Sequence, residues 1–131
     1  MNISRLAATL ALTFLVLVPL LAKAADIGGP FSLTDHHGNR VSQYSYEGKY
    51  LLVFFGYTFC SDVCPTELLV MGQTLDELGD GAERVQAIFI TVDPERDTPE
   101  TLAEYVPNFH PDLIGLTGTP EEVAAAAKEY R

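Results

Sequence analysis

The two cysteines of the chain, Cys60 and Cys64, are separated by three residues in the segment GYTFCSDVCPTE. A disulfide between them would close a very short loop, which removes little entropy from the unfolded chain and stabilises a fold weakly. Two neighbouring thiolates suit disulfide exchange or the binding of a soft metal ion. Two sulfurs satisfy Cu(I), whereas a tetrahedral zinc site needs four ligands. The pair therefore indicates either a redox dithiol or a copper site.

Histidine is the residue type that would complete such a metal site, and the chain has three. His36 and His37 fall in a polar turn and His110 precedes a proline in a loop, so none has a ligand-like spacing from the cysteines. We expect His36 and His37 to be solvated turn residues and His110 to have a structural role. Asp93 opens an acidic loop, VDPERDTPE. It would either face the dithiol and tune its charge or belong, with Arg96 and Asp97, to an ion-pair cluster in a solvated loop.

Alternating strand and helix signals place these residues at one edge of a sheet. The predicted elements are two short strands around a polar turn (31–34 and 39–42), strands at 50–56, 85–92 and 112–116, and helices beginning near Pro65, at Pro99 and at Pro120. This order predicts an α/β fold with an N-terminal β-hairpin and a parallel sheet covered by helices. Loops that follow parallel strands meet at one edge, so the loops of Cys60 and Asp93 should be neighbours.

Local signals give finer expectations within this frame. Pro65 disfavours helical geometry at the preceding residue, which places Cys64 at the helix N-terminus and Cys60 in the loop before it. The apolar runs at 50–56 and 85–92 lack alternation, so we expect both strands to be buried on both faces. The last strand would be an open edge. Asp97 and Thr98 are expected to cap the following helix.

Residues 1–24 have the composition of an export signal. Arg5 precedes an uncharged apolar stretch at 6–22, and the segment Ala22-Lys23-Ala24 fits the small-x-small rule for cleavage. The stretch is also long enough to be considered an uncleaved membrane anchor or tether. In either case we expect the folded part to work outside the cytoplasm, in the periplasm or anchored to the inner membrane.

The composition excludes several classes of function. The net charge is −10, and loss of the leader would make it more negative, so the surface would repel nucleic acid and anionic headgroups. The sequence has no Gly-rich phosphate loop, no arguable Ser-His-Asp set and no aromatic pattern for stacking bases.

Three segments carry a resemblance to the Sco (SenC) family of copper proteins: GKYLLVFFGYTFCSDVCPTELLVM, FITVDPERDTPETLAEYV and FHPDLIGLTGTPEEVAAAAKEY. The start IGGPFSLTDHHGNRV looks like the family's N-terminal hairpin, so the similarity covers residues 27–131. Ser61 departs from the pattern, since the family usually has proline between the cysteines. The resemblance implies a thioredoxin-like fold, copper binding and a role in assembling the binuclear copper centre of cytochrome c oxidase.

The resemblance also implies roles for individual residues. Cys60 and Cys64 would be thiolate ligands of copper, and Asp93 would be the acidic residue near the site. The family's third ligand is a histidine in a later Asp-His segment, so we expect this ligand and the family's closing strands to be absent and the domain, 27–131, to be incomplete. Such a chain should bind Cu(I) and handle Cu(II) poorly. The implied partners are the copper-bearing subunit of the oxidase and other periplasmic copper chaperones or thiol reductases.

The same dithiol supports alternative functions. A metallochaperone binds and delivers copper and is not an enzyme, whereas a thiol–disulfide oxidoreductase would reduce the cysteines of the oxidase subunit before metal insertion. A peroxidase relative on the same fold would need a peroxide motif that the sequence lacks. An inactive fragment is the remaining alternative.

Overall fold

The computed structural model describes residues 28–131. In chain order the elements are strands β1 (Ser32–Asp35), β2 (Arg40–Ser42) and β3 (Tyr50–Gly56), helix α1 (Val63–Leu78), strand β4 (Val85–Thr91), helix α2 (Pro99–Tyr105), strand β5 (Ile114–Thr117) and helix α3 (Pro120–Tyr130). Short 3-10 segments follow β2, α1 and α2. The predicted hairpin and the alternation of strands and helices after it are confirmed.

The five strands form one mixed sheet in the order β2-β1-β5-β4-β3. Strands β3, β4 and β5 are parallel, while β1 pairs antiparallel with both β2 and β5. Within residues 28–131, β5 therefore lies inside the sheet, and the expectation that the last strand is an open edge is wrong. The N-terminal hairpin covers β5, and β3 lies at the outer position instead.

Position in the sheet separates two strands of similar composition. The residues of β4 from Ala87 to Thr91 are all buried, because this strand lies between β3 and β5. Residues 51–55 of β3 are only partly buried, and Tyr50 is 70% exposed. Burial on both faces is thus confirmed for β4 and wrong for β3, because an apolar run does not reveal which strand has neighbours on both sides.

Side chains of β4 alternate between two core layers, as the period of a strand requires. Ala87 and Phe89 point to the layer beneath α1 and α2, which also contains Leu68, Met71, Leu75, Leu102 and Val106. Ile88 and Ile90 point to the opposite layer beneath α3, which also contains Phe31, Leu33, Leu116, Val123 and Ala126. Helices therefore cover both faces of the sheet, and the loops at its carboxyl edge are fixed to a packed core.

The helix ends follow their sequence signals closely. Thr98 caps α2 by accepting a hydrogen bond from the N–H of Thr101. Thr119 and Glu122 form a reciprocal capping box at the start of α3. Helix α1 begins at Val63, slightly before the expected start.

None of the helices formed by residues 28–131 combines the length and the apolar character needed to cross a bilayer. The predicted export signal or membrane anchor, residues 1–24, lies outside the described residues.

Candidate functional site

Two loops lie side by side at the carboxyl edge of the sheet. Residues 57–62, which we name the cysteine loop, connect β3 to α1, and residues 92–98, which we name the aspartate loop, connect β4 to α2. The N–H of Val92 donates to the carbonyl of Gly56 at 2.8 Å, which extends the pairing of β3 and β4 into the loops. The structure brings the two loops together, as the order of the parallel strands predicts.

The two sulfurs meet at the N-terminus of α1. The backbone N–H of Cys64 donates to Sγ of Cys60 at 3.4 Å, and the N–H of Cys60 donates to the carbonyl of Tyr57 at 3.2 Å. Both cysteines are free thiols. Cys60 is partly exposed in the loop, whereas Cys64 lies in the first turn of the helix and is only 6% exposed. The sulfur of Cys60 can therefore be reached from solvent, whereas the sulfur of Cys64 lies buried beneath it.

The pKa values of the two thiols shift in opposite directions. The hydrogen bond with the Cys64 thiol lowers the pKa of Cys60, and the backbone N–H groups of Cys64 and Asp62 lower it further. Burial raises the pKa of Cys64, and its hydrogen bond with Cys60 adds to this rise. Two interacting thiols titrate as a pair, and these shifts assign the first proton lost mainly to Cys60. These shifts favour Cys60 over Cys64 as the first thiolate of the pair.

Gly56 ends β3 directly against Cys64. A Cβ atom at this position would lie 2.9 Å from Cε2 of Phe89 and 3.0 Å from Sγ of Cys64. Carbon atoms need greater separation than this, so any side chain would displace the helix start or the core ring. Glycine here allows the strand end and the buried sulfur to approach each other, a requirement that the sequence analysis missed.

Asp97 joins the two loops from the inside and is only 1% exposed. Its Oδ2 accepts hydrogen bonds from the N–H of Thr58 at 2.9 Å and from the hydroxyl of Thr91 at 2.6 Å. Its Oδ1 accepts a third hydrogen bond from the hydroxyl of Thr58 at 2.5 Å. The expectation that Asp97 caps α2 is wrong, because Thr98 alone caps that helix. The carboxylate of Asp97 instead accepts its hydrogen bonds from Thr91 at the end of β4 and from Thr58 in the cysteine loop.

Asp93 lies at the exposed side of the aspartate loop. Its carboxylate forms an ion pair and a hydrogen bond with Arg96 of the same loop. The guanidinium carbon of Arg96 lies 5.4 Å from the centroid of the Phe59 ring, and Phe59 is 79% exposed. Of the expected cluster of Asp93, Arg96 and Asp97, the ion pair between Asp93 and Arg96 is present, whereas Asp97 is buried and bonded elsewhere. That Asp93 also tunes the charge of the dithiol stays a prediction.

Tyr105, at the end of α2, lies on the buried side of the site. Its hydroxyl is buried and has no hydrogen-bond partner within residues 28–131. Burial raises the pKa of Tyr105 to about 12, and the charges of Cys64, Cys60 and Asp97 contribute in the same direction. The phenol is therefore neutral at physiological pH. No motif marked this residue, because its helical spacing is that of an ordinary core aromatic residue.

The histidines make local contacts, and the expectation of a merely solvated turn residue is wrong for His36, which is partly buried against β5. Nδ1 of His36 accepts a hydrogen bond from the N–H of Gly115 at 3.0 Å, and the ring of His37 lies 4.0 Å from that of His36. Nδ1 of His110 accepts from the N–H of Asp112 at 3.1 Å. No group of three or more His, Cys, Asp or Glu side chains within the described part of the chain could hold a metal ion.

A family model described as SCO1/SenC matches residues 21–131. The human protein "Protein SCO1 homolog, mitochondrial" is 50% identical over 107 residues, which are 80% of this chain and 36% of that protein. The chain spans about a third of the length of the curated relatives that it matches.

Solved structures share the fold. ScoI of Bradyrhizobium japonicum with copper bound is 52% identical, has a TM-score of 0.76, and is matched over 80% of this chain and 67% of that chain. BsSco, a member of the Sco family of cytochrome c oxidase assembly proteins in which a disulfide switch was identified, is 27% identical with a TM-score of 0.68, over 81% and 65% of the chains. These similarities confirm the predicted thioredoxin-like α/β fold.

Proposed function

The chain belongs to the SCO1/SenC family, and from this premise we propose that it is a copper-binding metallochaperone that assists assembly of the binuclear copper centre of cytochrome c oxidase. The pair of free thiols at the start of α1, one accessible and one buried, is the observation that carries the proposal. Relatives support it, since ScoI is known with copper bound and BsSco belongs to a family of oxidase assembly proteins.

In this proposal Cys60 and Cys64 are the ligands of Cu(I), which is the cargo. The donor set fits the metal, because soft thiolates select Cu(I) and two of them satisfy its low coordination number. Because the pKa of Cys60 is lowered, this thiol ionises more readily than an ordinary cysteine and would supply the first thiolate. Cys64 has a raised pKa and loses its proton as the second sulfur binds the metal, so loading releases protons.

Delivery of the metal needs a ligand that a partner can displace. Cys60 is partly exposed, and the hydrophobic side chains around it, Phe59 and Val63, are 79% and 61% exposed. A thiolate of the copper-bearing subunit could therefore approach the metal from the side of Cys60 and replace one sulfur at a time. Asp93, which is paired with Arg96 in the neighbouring loop, would be the acidic residue of the family pattern near the metal.

The leader supports a location outside the cytoplasm. Residues 1–24 would act as a signal peptide or membrane anchor, and residues 27–131 would form the Sco domain. The proposed partner, the copper-bearing subunit of the oxidase, belongs to a membrane complex, so a tether at 6–22 would keep the domain close to it. Release of the domain by a signal peptidase and retention at the membrane are both compatible with copper delivery.

A thiol–disulfide oxidoreductase is the second candidate, and the opposed pKa shifts of the two thiols favour it. The Cys60 thiolate would attack one sulfur of a partner disulfide, forming a mixed disulfide and releasing the other partner sulfur as a thiolate. The Cys64 thiolate would then attack Sγ of Cys60 and release the second partner thiolate. The partner gains two electrons, and the chain ends with a Cys60–Cys64 disulfide.

Competition with a chromophoric Cu(I) chelator under anaerobic conditions tests the proposal. We expect one Cu(I) per chain and a loss of affinity of at least about 100-fold in Cys60→Ser or Cys64→Ser, since each variant removes one of two ligands. His110→Ala is the matched control and should bind normally, because the polar contacts of this side chain within residues 28–131 are with Asp112 and Asp76, not with the cysteines. Unchanged Cu(I) affinity in the Cys60→Ser/Cys64→Ser double variant would refute the proposal.

A transfer assay separates the two candidates. The Cu(I)-loaded chain is mixed with the reduced copper-binding domain of the oxidase subunit, and the metal-free reduced chain with the oxidised domain. Copper transfer without formation of a Cys60–Cys64 disulfide supports the metallochaperone. Disulfide formation in the chain with no copper transfer supports the oxidoreductase.

A further inference from the structure

Asp97 is a charged side chain inside the protein for which neither proposed chemistry has a use. A carboxylate is costly to bury unless its oxygens accept hydrogen bonds. Asp97 meets this condition with three donors, two from Thr58 and one from Thr91. All three groups donate, so both terminal atoms of the side chain at position 97 must be acceptors. A carboxylate has two acceptor oxygens, whereas an amide side chain has only one.

The two hydrogen bonds from Thr58 fix the start of the cysteine loop. The N–H and the hydroxyl of Thr58 bind different oxygens of the same carboxylate, which determines both the position and the orientation of this residue. One residue earlier, the carbonyl of Tyr57 accepts the N–H of Cys60 and closes a turn. Two sets of hydrogen bonds, joined by the peptide bond between Tyr57 and Thr58, therefore connect the carboxylate of Asp97 to the backbone of Cys60.

The third hydrogen bond extends the network to the aspartate loop. The hydroxyl of Thr91 donates to Asp97 and accepts from the N–H of Asp93 at 3.0 Å. The backbone N–H of Asp97 donates to the carbonyl of Asp93 at 2.9 Å, which fixes the carboxylate from its own side. Asp97 thus has a defined position from which to orient the neighbouring loop.

We propose that Asp97 is a positioning residue for the dithiol: through Thr58 its carboxylate keeps the sulfur of Cys60 at the backbone N–H of Cys64. The inference rests on the proposed function only in taking the dithiol as the working group. It adds that the sulfur geometry needed for Cu(I) binding or disulfide exchange is set by a residue that touches neither sulfur.

Whether Asp97→Asn slows or accelerates the alkylation of Cys60 distinguishes positioning from a simple charge effect. If Asp97 acted only through its negative charge, Asp97→Asn would favour the Cys60 thiolate and accelerate its alkylation. If Asp97 positions the loop, the same variant weakens the contacts that stabilise the thiolate and slows alkylation. Positioning thus predicts a rise in the pH of half-maximal reactivity, whereas charge predicts a fall.

The experiment measures the pH profile of Cys60 alkylation by iodoacetamide, with peptide mass spectrometry to separate Cys60 from Cys64. For Asp97→Asn we expect alkylation of Cys60 at neutral pH to slow about fivefold and Cu(I) affinity to fall about tenfold, the lower end of the effect of supporting residues around a metal site. Thr58→Val should change both quantities in the same direction by a smaller factor, since it removes one donor. Thr58→Ser, which restores the hydroxyl, should restore wild-type values.

Thr98→Ala is the matched control, because it removes the cap of α2 next to Asp97 but none of the hydrogen bonds to the cysteine loop. It should lower stability and leave the alkylation profile of Cys60 unchanged. The Thr58→Val and Thr58→Ser pair decides the question if Asp97→Asn does not fold. Alkylation that is unchanged or faster in folded Asp97→Asn, or in Thr58→Val, would overturn the proposal. Because alkylation needs no copper, a wild-type chain that fails to bind Cu(I) would contradict the proposed function alone.

Discussion

The cysteine loop and the aspartate loop lie next to each other at one edge of the sheet, yet they differ in what they expose. The cysteine loop presents Phe59 to solvent and leaves Cys60 accessible. The aspartate loop buries Asp97 almost completely and pairs the carboxylate of Asp93 with Arg96. One loop therefore carries the reactive group, and the other uses its charged side chains for hydrogen bonds and an ion pair.

This difference indicates that the cysteine loop carries the reactive sulfur and that the aspartate loop supports its position. A sulfur that binds a metal ion or a partner must stay accessible, so its own loop cannot cover it. The cysteine loop can therefore form few contacts of its own that would hold this sulfur in place. A buried group in a neighbouring loop can supply the missing constraint, and Asp97 does so without contact to either sulfur. Sites of this kind keep their geometry because supporting residues fix the residues that react.

The largest effect is expected at the base of the cysteine loop. Gly56→Ala places a methyl group within 3.0 Å of Sγ of Cys64 and 2.9 Å of Phe89. Overpacking of this kind should lower the free energy of unfolding by about 2–3 kcal/mol. Urea denaturation followed by circular dichroism measures the change. Gly81→Ala is the control, because its new methyl group would meet no atom closer than 3.9 Å, and equal stability losses in the two variants would contradict the account.

The two sulfurs should differ strongly in reactivity. The pKa of Cys60 is lowered and that of Cys64 is raised, so the Cys60 thiolate should form at a lower pH than an ordinary cysteine thiolate and the Cys64 thiolate at a higher pH. Near pH 7, iodoacetamide should modify Cys60 at least about ten times faster, since one pKa unit already gives this ratio. Mass spectrometry of quenched samples gives both rates. Faster modification of Cys64 would reverse the assigned roles.

Removal of the buried hydroxyl behind the site should be harmless or favourable. The hydroxyl of Tyr105 has no partner within the described residues, and an unsatisfied buried polar group costs free energy. Tyr105→Phe should therefore leave the free energy of unfolding unchanged or raise it by up to about 1 kcal/mol. Thermal denaturation of the reduced protein measures this. A loss of more than about 1 kcal/mol would reveal a hydrogen bond to the hydroxyl.

The smallest effect is expected on the exposed side of the aspartate loop. Arg96→Gln removes the ion pair with Asp93 and the cation that lies over Phe59. Exposed pairs contribute little, so the midpoint of urea denaturation should stay close to the wild-type value. A clear fall in this midpoint would show that the aspartate loop depends on its outer ion pair as well as on the hydrogen bonds of Asp97.

Local sequence signals predicted the framework of the fold well. The cap at Thr98, the capping box at Thr119 and the chain of strands and helices all reflect short-range chemistry that a sequence displays directly. The order of the strands in the sheet could not be predicted in the same way. Residues 50–56 and 85–92 are similarly apolar, but only the pairing of the N-terminal hairpin with β5 decides which strands lie inside the sheet.

Only part of the candidate site could be predicted, because only part of it is displayed by local sequence patterns. Cys60 and Cys64 are recognised by their spacing, and the neighbouring position of the two loops follows from parallel strands. The role of Asp97 was missed, because an aspartate beside Thr98 reads as a helix cap, and its hydrogen bonds to Thr58 connect residues far apart in the chain. Long-range polar contacts of this kind depend on the folded arrangement and have no local pattern.

Copper K-edge X-ray absorption of the Cu(I)-loaded chain tests the central claim most directly, because it counts the sulfur atoms bound to the metal. The account predicts two sulfur ligands per copper, supplied by Cys60 and Cys64, and fewer sulfur ligands in Cys64→Ser. A copper environment made only of nitrogen and oxygen, or a sulfur count that persists when both cysteines are replaced by serine, would contradict it.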